Sequence, residues 1–353
     1  MDHKTELNDL IEVVVREGAS DLHLSEGRQP TIRVSGNLIP LAKKARLTRE
    51  DTDAFLTLLL TKENKDLFNE KREMDFSFNH KNEARFRGNA FFQQGHVSIA
   101  LRFIPKVIKT LEDLKIPRIL GDFARRKQGF FLVVGPVGQG KTTTLAAMID
   151  MINEERAEHI ITIEDPVEYV YEQKKSIIDQ REIHTDTLSF SSALTQVLRE
   201  DVNVLLVGEM RGPETMSAAV TAAETGHLVF STLHTNNAAQ TIDRIIDSFP
   251  PNQQDQIRIQ LSASLVGVFS QRLIPRISGG LIPAFELLIV NNAVSNLIRE
   301  KRVHEINTVI ETSSNEGMID MNRCLAELVR SGEITIESAY KHAFNPKSFE
   351  RMI

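Results

Sequence analysis

Two patterns of apolar residues alternate over the first hundred positions. Apolar side chains recur every three to four residues over 6–17 and 49–68, which predicts two helices, the first ending at Gly18. Between and after these segments the apolar spacing is two, which predicts strands. The strand positions are Leu22, Leu24, Ile32, Val34, Phe76, Phe78, Phe86, Val97, Ile99, Leu101 and Phe103. With a turn at Ser35-Gly36-Asn37, the pattern predicts a small α+β domain with an antiparallel sheet over 1–104.

The pattern changes after a connector at 105–117, which is bounded by Pro105 and Pro117. Short apolar runs then alternate with helical stretches, as in a parallel sheet covered by helices. The runs lie at 130–134, 160–163, 204–207 and 228–232, and the helical stretches at 141–153, 190–199, 214–224 and 238–247. From residue 253 onward we expect mostly helix, with Ile257, Leu261, Leu265 and Val268 on one face. The sequence thus predicts an α/β domain over 118–353 with a helical C-terminal region.

Composition and charge narrow the classes of function. The chain has 353 residues, of which 41% are hydrophobic and 25% charged, an ordinary balance for a folded protein of two domains. Its formal net charge of −6 disfavours nucleic acid as a direct partner, because nucleic-acid-binding proteins carry a basic face. The sequence shows neither a signal peptide nor the roughly 20 apolar residues of a membrane-spanning helix. We therefore expect a cytoplasmic protein that reaches a membrane only through partners.

The segment 135–142 reads Gly-Pro-Val-Gly-Gln-Gly-Lys-Thr and matches the phosphate-loop motif at every fixed position. An apolar strand precedes it and a helical pattern follows, which is the context that the motif requires. Backbone N–H groups of such a loop converge on an anion at the N-terminus of a helix. Lys141 is expected to reach the β- and γ-phosphates of ATP, and the Thr142 hydroxyl to ligate Mg²⁺. The predicted nucleotide-binding residues are Gly135, Pro136, Gly138, Gln139, Gly140, Lys141, Thr142 and Thr143.

Acidic residues end two of the predicted strands. Glu209 follows the run at 204–207, and Glu164 follows the run at 160–163. Ligands of open parallel sheets bind beyond the carboxyl ends of the strands, so both acids are expected on the side of the phosphate loop. Phosphoryl transfer requires a metal-side acid and a group that orients the attacking water. Glu209 and Glu164 are the candidates for these roles.

Histidines and arginines supply further candidates. His227 and His234 flank the strand at 228–232, without the spacing of a zinc site, and taken alone each favours a hydrogen-bonded structural role over a functional one. Arg87 and Arg102 lie on predicted strands of the first domain. An exposed arginine is commonly a solvated charge, but a ring-shaped ATPase needs cationic groups delivered to the γ-phosphate from another domain or subunit.

Together these motifs resemble the type IV pilus retraction ATPases, the PilT family, within the secretion and pilus motor ATPases. The resemblance runs over about 6–345. Ala19-Ser20-Asp21-Leu22-His23-Leu24 and Arg33-Val34-Ser35-Gly36 look like the family's opening signature. The segments that look like its acidic box, Walker B segment, histidine box and retraction motif lie at 161–168, 198–211, 225–236 and 293–300. The resemblance implies a PAS-like N-terminal domain followed by a RecA-like P-loop ATPase domain.

The resemblance also implies roles for single residues. Glu164 would hold the metal and its water, and Glu209 would polarise the attacking water. His227 and His234 would contribute to nucleotide sensing and subunit contact. Arg87 and Arg102 match the two arginines that the family presents toward phosphate. The implied catalytic residues are Glu209, Glu164, Arg87, Arg102, His234 and His227, and the implied Mg²⁺ ligands, some acting through water, are Thr142, Glu164 and Glu209.

At the level of the assembly, the resemblance implies a homohexameric ring that hydrolyses ATP to depolymerise type IV pili, the process behind twitching motility. Such a ring would be peripheral at the inner-membrane base of the pilus and bind a platform protein there. Several positions depart from the family pattern, namely Val137, Gln139, Val202, Asn203, Gly212, Val294 and Ser295. None of them is a predicted acid, base or metal ligand.

Three other functions compete with retraction. A pilus-assembly or type II secretion ATPase usually carries a four-cysteine zinc module, and this chain has only Cys324, which we expect to be a semi-buried thiol on a helix. A RecA-like nucleic-acid translocase is disfavoured by the acidic balance and by the absence of tryptophan. A nucleotide-dependent regulator with little turnover is disfavoured by Lys141, Thr142, Glu164 and Glu209, although Gly212 and Ser295 leave an accessory motor open.

Overall fold

The chain folds into two compact units. The structure is a computed structural model that describes residues 2–34, 36–81, 84–104 and 107–353. The first unit is the N-terminal part of the chain as far as Val107, joined by the short segment 166–170, and the second unit contains the rest. The predicted turn residue Ser35 and the predicted connector residue Pro105 lie outside the described residues. The apolar pattern gave no indication that 166–170 belongs to the first unit.

The first unit consists of an antiparallel sheet and helices that pack against it. Its elements are α1 (His3–Arg16), β1 (Asp21–Ser25), β2 (Thr31–Val34), β3 (Asn37–Pro40), α2 (Arg49–Leu59), α3 (Lys62–Lys71), β4 (Glu73–His80), β5 (Ala84–Gln93) and β6 (His96–Ile104). The strand order is β3-β2-β1-β6-β5-β4. Burial alternates along β5, because successive side chains of a strand point to opposite faces. Leu10, Phe55 and Phe86 are fully buried in the core between the sheet and its helices.

The helical pattern predicted over 49–68 is confirmed, but the structure divides it into two helices. α2 begins at a capping box in which Thr48 and Asp51 bond each other's backbone, and it ends at Leu59. Thr61 then caps α3 by accepting a hydrogen bond from the backbone N–H of Asn64. Since the apolar spacing continues across the break, only the capping residue marks it.

The second unit is an α/β domain built on a mainly parallel sheet. Its elements are α4 (Ile119–Ala124), β7 (Gly129–Val134), α5 (Lys141–Glu155), β8 (His159–Glu164), β9 (Ile177–Glu182), α6 (Phe190–Val197), β10 (Val204–Val207), α7 (Pro213–Glu224), β11 (Leu228–Leu233), α8 (Ala238–Asp247), α9 (Pro251–Ser264), β12 (Leu265–Pro275), β13 (Leu281–Ile289), α10 (Asn292–Arg299), α11 (Ile306–Thr312), α12 (Met321–Arg330), α13 (Ile336–His342) and α14 (Pro346–Glu350). The strand order is β13-β12-β7-β11-β10-β8-β9. The four predicted parallel strands are confirmed as β7, β8, β10 and β11.

The expectation of mostly helix after residue 253 is wrong for two segments, which are strands. α9 ends at Ser264, and the chain then enters β12, which pairs with β7 in parallel and with β13 antiparallel. Leu265 and Val268 therefore lie on a strand, although their spacing continues the apolar face of α9. Buried strands carry apolar residues on both faces, and such a run cannot be told from a buried helix by spacing alone.

The remaining C-terminal elements are helical, as predicted. Cys324 lies on α12 with 6% of its surface exposed, and burial raises the pKa of its thiol to about 12. The thiol is therefore protonated at neutral pH, as expected of a structural residue. Among the residues that the structure describes, no helix has both the length and the apolar character needed to cross a membrane.

Candidate functional site

The phosphate loop leads from β7 into α5, and its backbone requires glycine at two positions. Gly135 has a φ of +146°, and a side chain there would meet the backbone oxygen of Gln271 at 2.5 Å. Gly140, at the N-cap position of α5, has a φ of +78°, in the left-handed region that glycine adopts readily. In the described structure the N-cap Gly140 makes no side-chain hydrogen bond to α5, and the N-terminus of such a helix attracts an anion.

Lys141 lies folded over this loop. Its Nζ donates hydrogen bonds to the carbonyl oxygens of Gly135 at 2.8 Å and Pro136 at 2.9 Å, and it lies 3.3 Å from Nδ1 of His234. The side chain is buried, with 7% of the residue exposed. An ammonium group is attracted more strongly to the negative charge of a phosphate than to a neutral carbonyl oxygen, so phosphate oxygens would replace these carbonyls favourably.

Gln271 on β12 supports the loop, and sequence analysis did not identify it. Its Nε2 donates to the carbonyl oxygen of Gln139 at 2.7 Å, and its Oε1 accepts from the hydroxyl of Thr144 at 2.7 Å. The side chain of Gln139 in turn accepts a hydrogen bond from the backbone N–H of Leu273. With 3% of its surface exposed, Gln271 joins the middle of the loop to the first turns of α5. No motif indicates this role, because 132 positions separate Gln271 from Gln139.

The predicted acids and one predicted histidine lie at the ends of adjacent strands. β7 neighbours β11, and β11 neighbours β10, so Lys141, His234 and Glu209 follow three adjacent parallel strands. Nε2 of His234 lies 3.8 Å from Oε2 of Glu209, whose other oxygen forms an ion pair with Arg211. The structure therefore brings three of the predicted site residues together at the carboxyl edge of the sheet.

The ring of His234 connects the lysine to the glutamate. Burial lowers the pKa of His234, and the positive charge of Lys141 lowers it further. The ring is therefore neutral near pH 7. An ammonium group only donates hydrogen bonds, so Nδ1 accepts from Lys141 and the ring proton resides on Nε2, facing Glu209.

Glu164 ends β8, the next strand of the sheet. It is 5% exposed and accepts a hydrogen bond from the Thr162 hydroxyl at 2.7 Å. Gly208, the residue before Glu209, packs closely against this strand end, and a side chain there would approach the backbone oxygen of Ile163 at 3.3 Å. The two predicted acids thus follow directly paired strands.

The structure does not bring His227 to this cluster. His227 precedes β11 and His234 follows it, so a strand length of roughly 20 Å separates them. Nδ1 of His227 lies 2.9 Å from the carbonyl oxygen of Ala222 in the last turn of α7. This contact satisfies a helix-end carbonyl, which is a structural role within the chain. The role of His227 in nucleotide sensing or subunit contact stays a prediction.

Arg87 and Arg102 lie in the first unit, directly opposite each other on β5 and β6. Nε of Arg102 bonds Oδ1 of Asp21 at 3.0 Å, and the Arg102 side chain is 59% exposed. Arg87 lies 3.4 Å from Oε1 of Glu168 and 3.8 Å from Asp75. The two arginines therefore form a pair on one face of the sheet, and each has a carboxylate partner. Their role toward phosphate stays a prediction.

The donor set fits a magnesium ion that arrives with its nucleotide. Within the described ranges, no three His, Cys, Asp or Glu side chains are arranged to hold a metal by themselves. Mg²⁺ in phosphoryl-transfer sites takes most of its ligands from phosphate oxygens and water. Thr142 in the first turn of α5, together with Glu164 and Glu209 at neighbouring strand ends, supplies the oxygen donors that this ion prefers.

A strand, a glycine loop with its lysine, a helix and strand-end acids on a parallel sheet define a P-loop nucleotide-binding protein. Comparison with known families agrees with this class. Residues 3–280 match the family described as Type II/IV secretion system protein. The chain belongs to that family.

Two bacterial relatives match over most of their length. The type IV pilus retraction ATPase PilT of Pseudomonas aeruginosa is 44% identical, over 98% of this chain and 100% of the relative. A twitching motility protein of Neisseria gonorrhoeae is 47% identical, over 90% of this chain and 85% of the relative. The agreement thus covers both units.

A solved structure of similar sequence has the same fold. The crystal structure of the pilus retraction motor PilT with bound ADP is 46% identical and has a TM-score of 0.90, covering 98% of both chains. The DotB ATPase of Legionella pneumophila has a TM-score of 0.81 at 24% identity, which extends the likeness of the fold alone. The predicted fold class, a small α+β domain followed by a P-loop ATPase domain, is confirmed.

Proposed function

We propose that this chain is the subunit of a hexameric, Mg²⁺-dependent ATPase motor that retracts type IV pili and so supports twitching motility. The chain is a P-loop ATPase of the type II/IV secretion family. The near-complete match to a retraction ATPase and a twitching motility protein supports this function. The structural observation that carries it is the cluster of Lys141, His234 and Glu209 at three adjacent strand ends.

ATP binding would replace contacts within the chain by contacts to phosphate. The N–H groups of the loop and the N-terminus of α5 would bind the phosphates. Lys141 would move its Nζ from the carbonyl oxygens of Gly135 and Pro136 to the β- and γ-phosphates. Gln271 would keep the loop backbone in place during this exchange, since it contacts the loop through Gln139 and α5 through Thr144.

Glu164 and Glu209 would carry out the remaining steps, which are metal binding and activation of the attacking water. Thr142, Glu164 and Glu209, some of them through water, would hold Mg²⁺, which neutralises developing charge on the phosphates. Glu209 would accept a proton from the attacking water as the bond between the γ-phosphorus and the β–γ bridging oxygen breaks, leaving ADP and phosphate. Nε2 of His234 lies 3.8 Å from Glu209, so a small approach of the ring would let its N–H bond and orient the carboxylate.

The finer parts of the function follow the family resemblance. Arg87 and Arg102 would supply positive charge to the γ-phosphate during turnover. His227 would contribute to nucleotide sensing or subunit contact. Six copies would form the ring, on the cytoplasmic side of the inner membrane, bound to a platform protein of the pilus machinery. The proteins named type II secretion system protein E of Pseudomonas aeruginosa and Aeromonas hydrophila align with only 44% of this chain, which favours retraction over secretion.

The first test is ATP hydrolysis by the purified chain with and without Mg²⁺, beside Glu209→Gln, with the oligomeric mass of both recorded. We expect turnover by a ring-sized wild type and a loss of roughly 10²–10⁴-fold in a variant of the same mass. Glu214→Gln, at an exposed position of α7, is the matched control. No turnover by a folded hexamer would contradict the proposal of a self-sufficient motor.

A deletion strain tests the biological role separately from the chemistry. Retraction requires that the strain carry more surface pili and lose surface motility, and that the wild-type gene restore both. Loss of pili in the deletion strain would instead indicate an assembly motor.

A further inference from the structure

A polar cavity of about 360 Å³ opens in the second unit beside the loop that follows His234. The residues that matter for its chemistry are Asn236, Gln240, Arg272, Lys341, His342 and Phe344. A volume above 300 Å³ lies in the range of small-molecule sites. The cavity exceeds what a single inorganic phosphate would fill, so it has room for a phosphate with an attached group.

The cavity adjoins the start of the phosphate loop, because a side chain at Gly135 would meet Nη1 of Arg272 at 3.2 Å, but Gln271, which supports the loop, does not line it. Gln271 and Arg272 are consecutive on β12, and successive side chains of a strand point to opposite faces. Gln271 bonds Gln139 and Thr144 at the phosphate loop. Arg272 instead donates from Nη2 to the side-chain oxygen of Asn236 at 2.9 Å, on the side of the cavity.

Arg272 is a buried cation whose close partners are neutral. Only 8% of the residue is exposed, and its guanidinium donates to the carbonyl oxygens of Gln271 and Asn236 and to the Asn236 side chain. It also stacks over the ring of Phe344 at 5.7 Å. It forms no ion pair with a carboxylate in the part of the chain that the structure describes. A buried guanidinium ordinarily has an anionic partner, because burial of an unpaired charge is costly.

The carboxylate that acts on Arg272 from a distance is Glu286 on β13. Glu286 is 3% exposed, and its carboxylate accepts a hydrogen bond from the N–H of Ala238 at the start of α8. Burial raises the pKa of Glu286 to about 7. A substantial fraction of Glu286 is therefore protonated near pH 7, and it neutralises Arg272 only in part.

Two residues of α13 line the cavity, and one of them, Lys341, adds positive charge. Lys341 lines the cavity and forms an exposed ion pair with Glu337, one turn earlier on the same helix. His342 lies beside it, and burial lowers its pKa, with Arg272 and Lys341 as further causes. Its neutral ring offers a hydrogen bond without adding a charge.

We propose that this cavity binds a small phosphate-bearing anion, with the phosphate on Arg272 and Lys341 and the attached group among the amides of Asn236 and Gln240. Guanidinium and ammonium groups are the side chains that recognise phosphate. The proposal does not depend on pilus retraction, and it concerns a second ligand site in addition to the nucleotide loop.

Calorimetry with inorganic pyrophosphate in a chloride buffer tests the site. The full chain carries Lys141→Ala, which removes the main competing phosphate contact, and either Arg272→Gln or Lys341→Gln is added. We expect pyrophosphate to bind the Lys141→Ala chain. Addition of Arg272→Gln should weaken this binding roughly tenfold or more, and addition of Lys341→Gln should weaken it a few-fold. Lys347→Gln, at an exposed position of α14, removes the same charge outside the cavity and should leave the affinity unchanged.

Thermal unfolding of each variant shows whether it is folded. If Arg272→Gln does not fold, Lys341→Gln still tests the site, because Lys341 is exposed. Citrate in place of pyrophosphate distinguishes a carboxylate site from a phosphate site. Two results would overturn the proposal. One is pyrophosphate affinity that is absent or insensitive to the cavity substitutions, and the other is tighter binding of citrate than of pyrophosphate.

Discussion

The two units hold their functional cations in different ways. In the second unit, Lys141 bonds neutral carbonyl oxygens of its own loop and the neutral ring of His234. In the first unit, Arg102 bonds the carboxylate of Asp21, and Arg87 lies near Glu168. These hydrogen bonds of the lysine have neutral acceptors, and the side chain is buried. The arginines have charged partners and considerable exposure.

This difference affects how readily each cation can exchange its present partners for phosphate oxygens. A cation on carbonyl oxygens gains when an anion replaces them, so the loop is preorganised for nucleotide. An arginine paired with a carboxylate must give up that partner first, and Asp21, the partner of Arg102, is itself buried although the arginine is largely exposed. We infer that the phosphate loop acts in nucleotide binding. Arg87 and Arg102 are suited to a later step, in which they exchange their carboxylate partners for phosphate.

Substitution of Arg102 tests the comparison with the largest expected effect. Arg102→Ala should leave nucleotide binding intact and lower turnover by roughly 10²-fold, less than the 10³–10⁵ of a sole arginine finger because Arg87 remains. The measurements are kcat and the dissociation constant of ADP. Arg46→Ala, exposed in the same unit, is the control and should change neither. Unchanged turnover by the assembled ring would remove Arg102 from the mechanism.

Substitution of Glu286 tests how much a buried charge in the second unit affects the free energy of unfolding. Burial raises the pKa of Glu286 to about 7 from an ordinary value of 4.5. The folded state therefore binds more protons than the unfolded state between these values, and the free energy of unfolding falls as pH rises through this window. The full difference is about 3 kcal/mol. Glu286→Gln keeps an acceptor for Ala238 and removes the charge, so it should stabilise the protein at pH 8 and change little at pH 5.

Urea unfolding at the two pH values measures this effect. Glu311→Gln, at an exposed position of α11, is the matched control and should show no pH-dependent gain. Equal stability of wild type and Glu286→Gln at pH 8 would mean that the buried carboxylate is fully compensated by Arg272.

Gln271 tests the neutral support of the phosphate loop. Gln271→Ala removes two hydrogen bonds and leaves the hydroxyl of Thr144 and the carbonyl oxygen of Gln139 without this partner. We expect a loss of about 2 kcal/mol in unfolding free energy and weaker binding of ADP. Gln253→Ala, at an exposed position of α9, should leave both unchanged. A stability loss with unaltered ADP affinity would restrict Gln271 to a purely structural role.

The sequence predicted those parts of the site whose pattern is local. The apolar run at 130–134, the glycine loop and the helix after it are consecutive, and the structure places them as β7, loop and α5. Glu209 and Glu164 were found because parallel strands bring their carboxyl ends to one edge. Gln271 was missed because it lies on β12, a strand that the spacing of Leu265 and Val268 disguised as helix.

The same limit applies to the first unit. The alternation along β5 predicted which residues share the face of Arg87, but not that Glu168 would lie near it, because that contact joins segments 81 positions apart. The break between α2 and α3 was missed for the opposite reason, since its signal is the single cap Thr61. A single sequence does not predict contacts between residues that are distant in sequence. It also does not predict a helix break whose only signal is a capping residue.

The smallest expected effect on kcat tests whether Asp21 restrains Arg102 between turnovers. Asp21→Asn replaces the carboxylate that bonds Arg102 and lies 3.6 Å from Arg33 with a neutral group of the same shape. The unfolding free energy should fall by about 1–2 kcal/mol, because Asp21 is buried and its bond to Arg102 is charge-assisted. If Asp21 restrains Arg102 between turnovers, the kcat should rise a few-fold at low salt, and the gain should shrink at 0.5 M salt, where the pair is screened in wild type as well.

Asp53→Asn, at an exposed position of α2 where Asp53 pairs with Arg49, is the control for loss of a surface carboxylate and should leave kcat unchanged. A fall in kcat as large as that of Arg102→Ala would give the opposite answer. Asp21 would then position Arg102 for its task instead of restraining it, and the arginines of the first unit would be as preorganised as the lysine of the second.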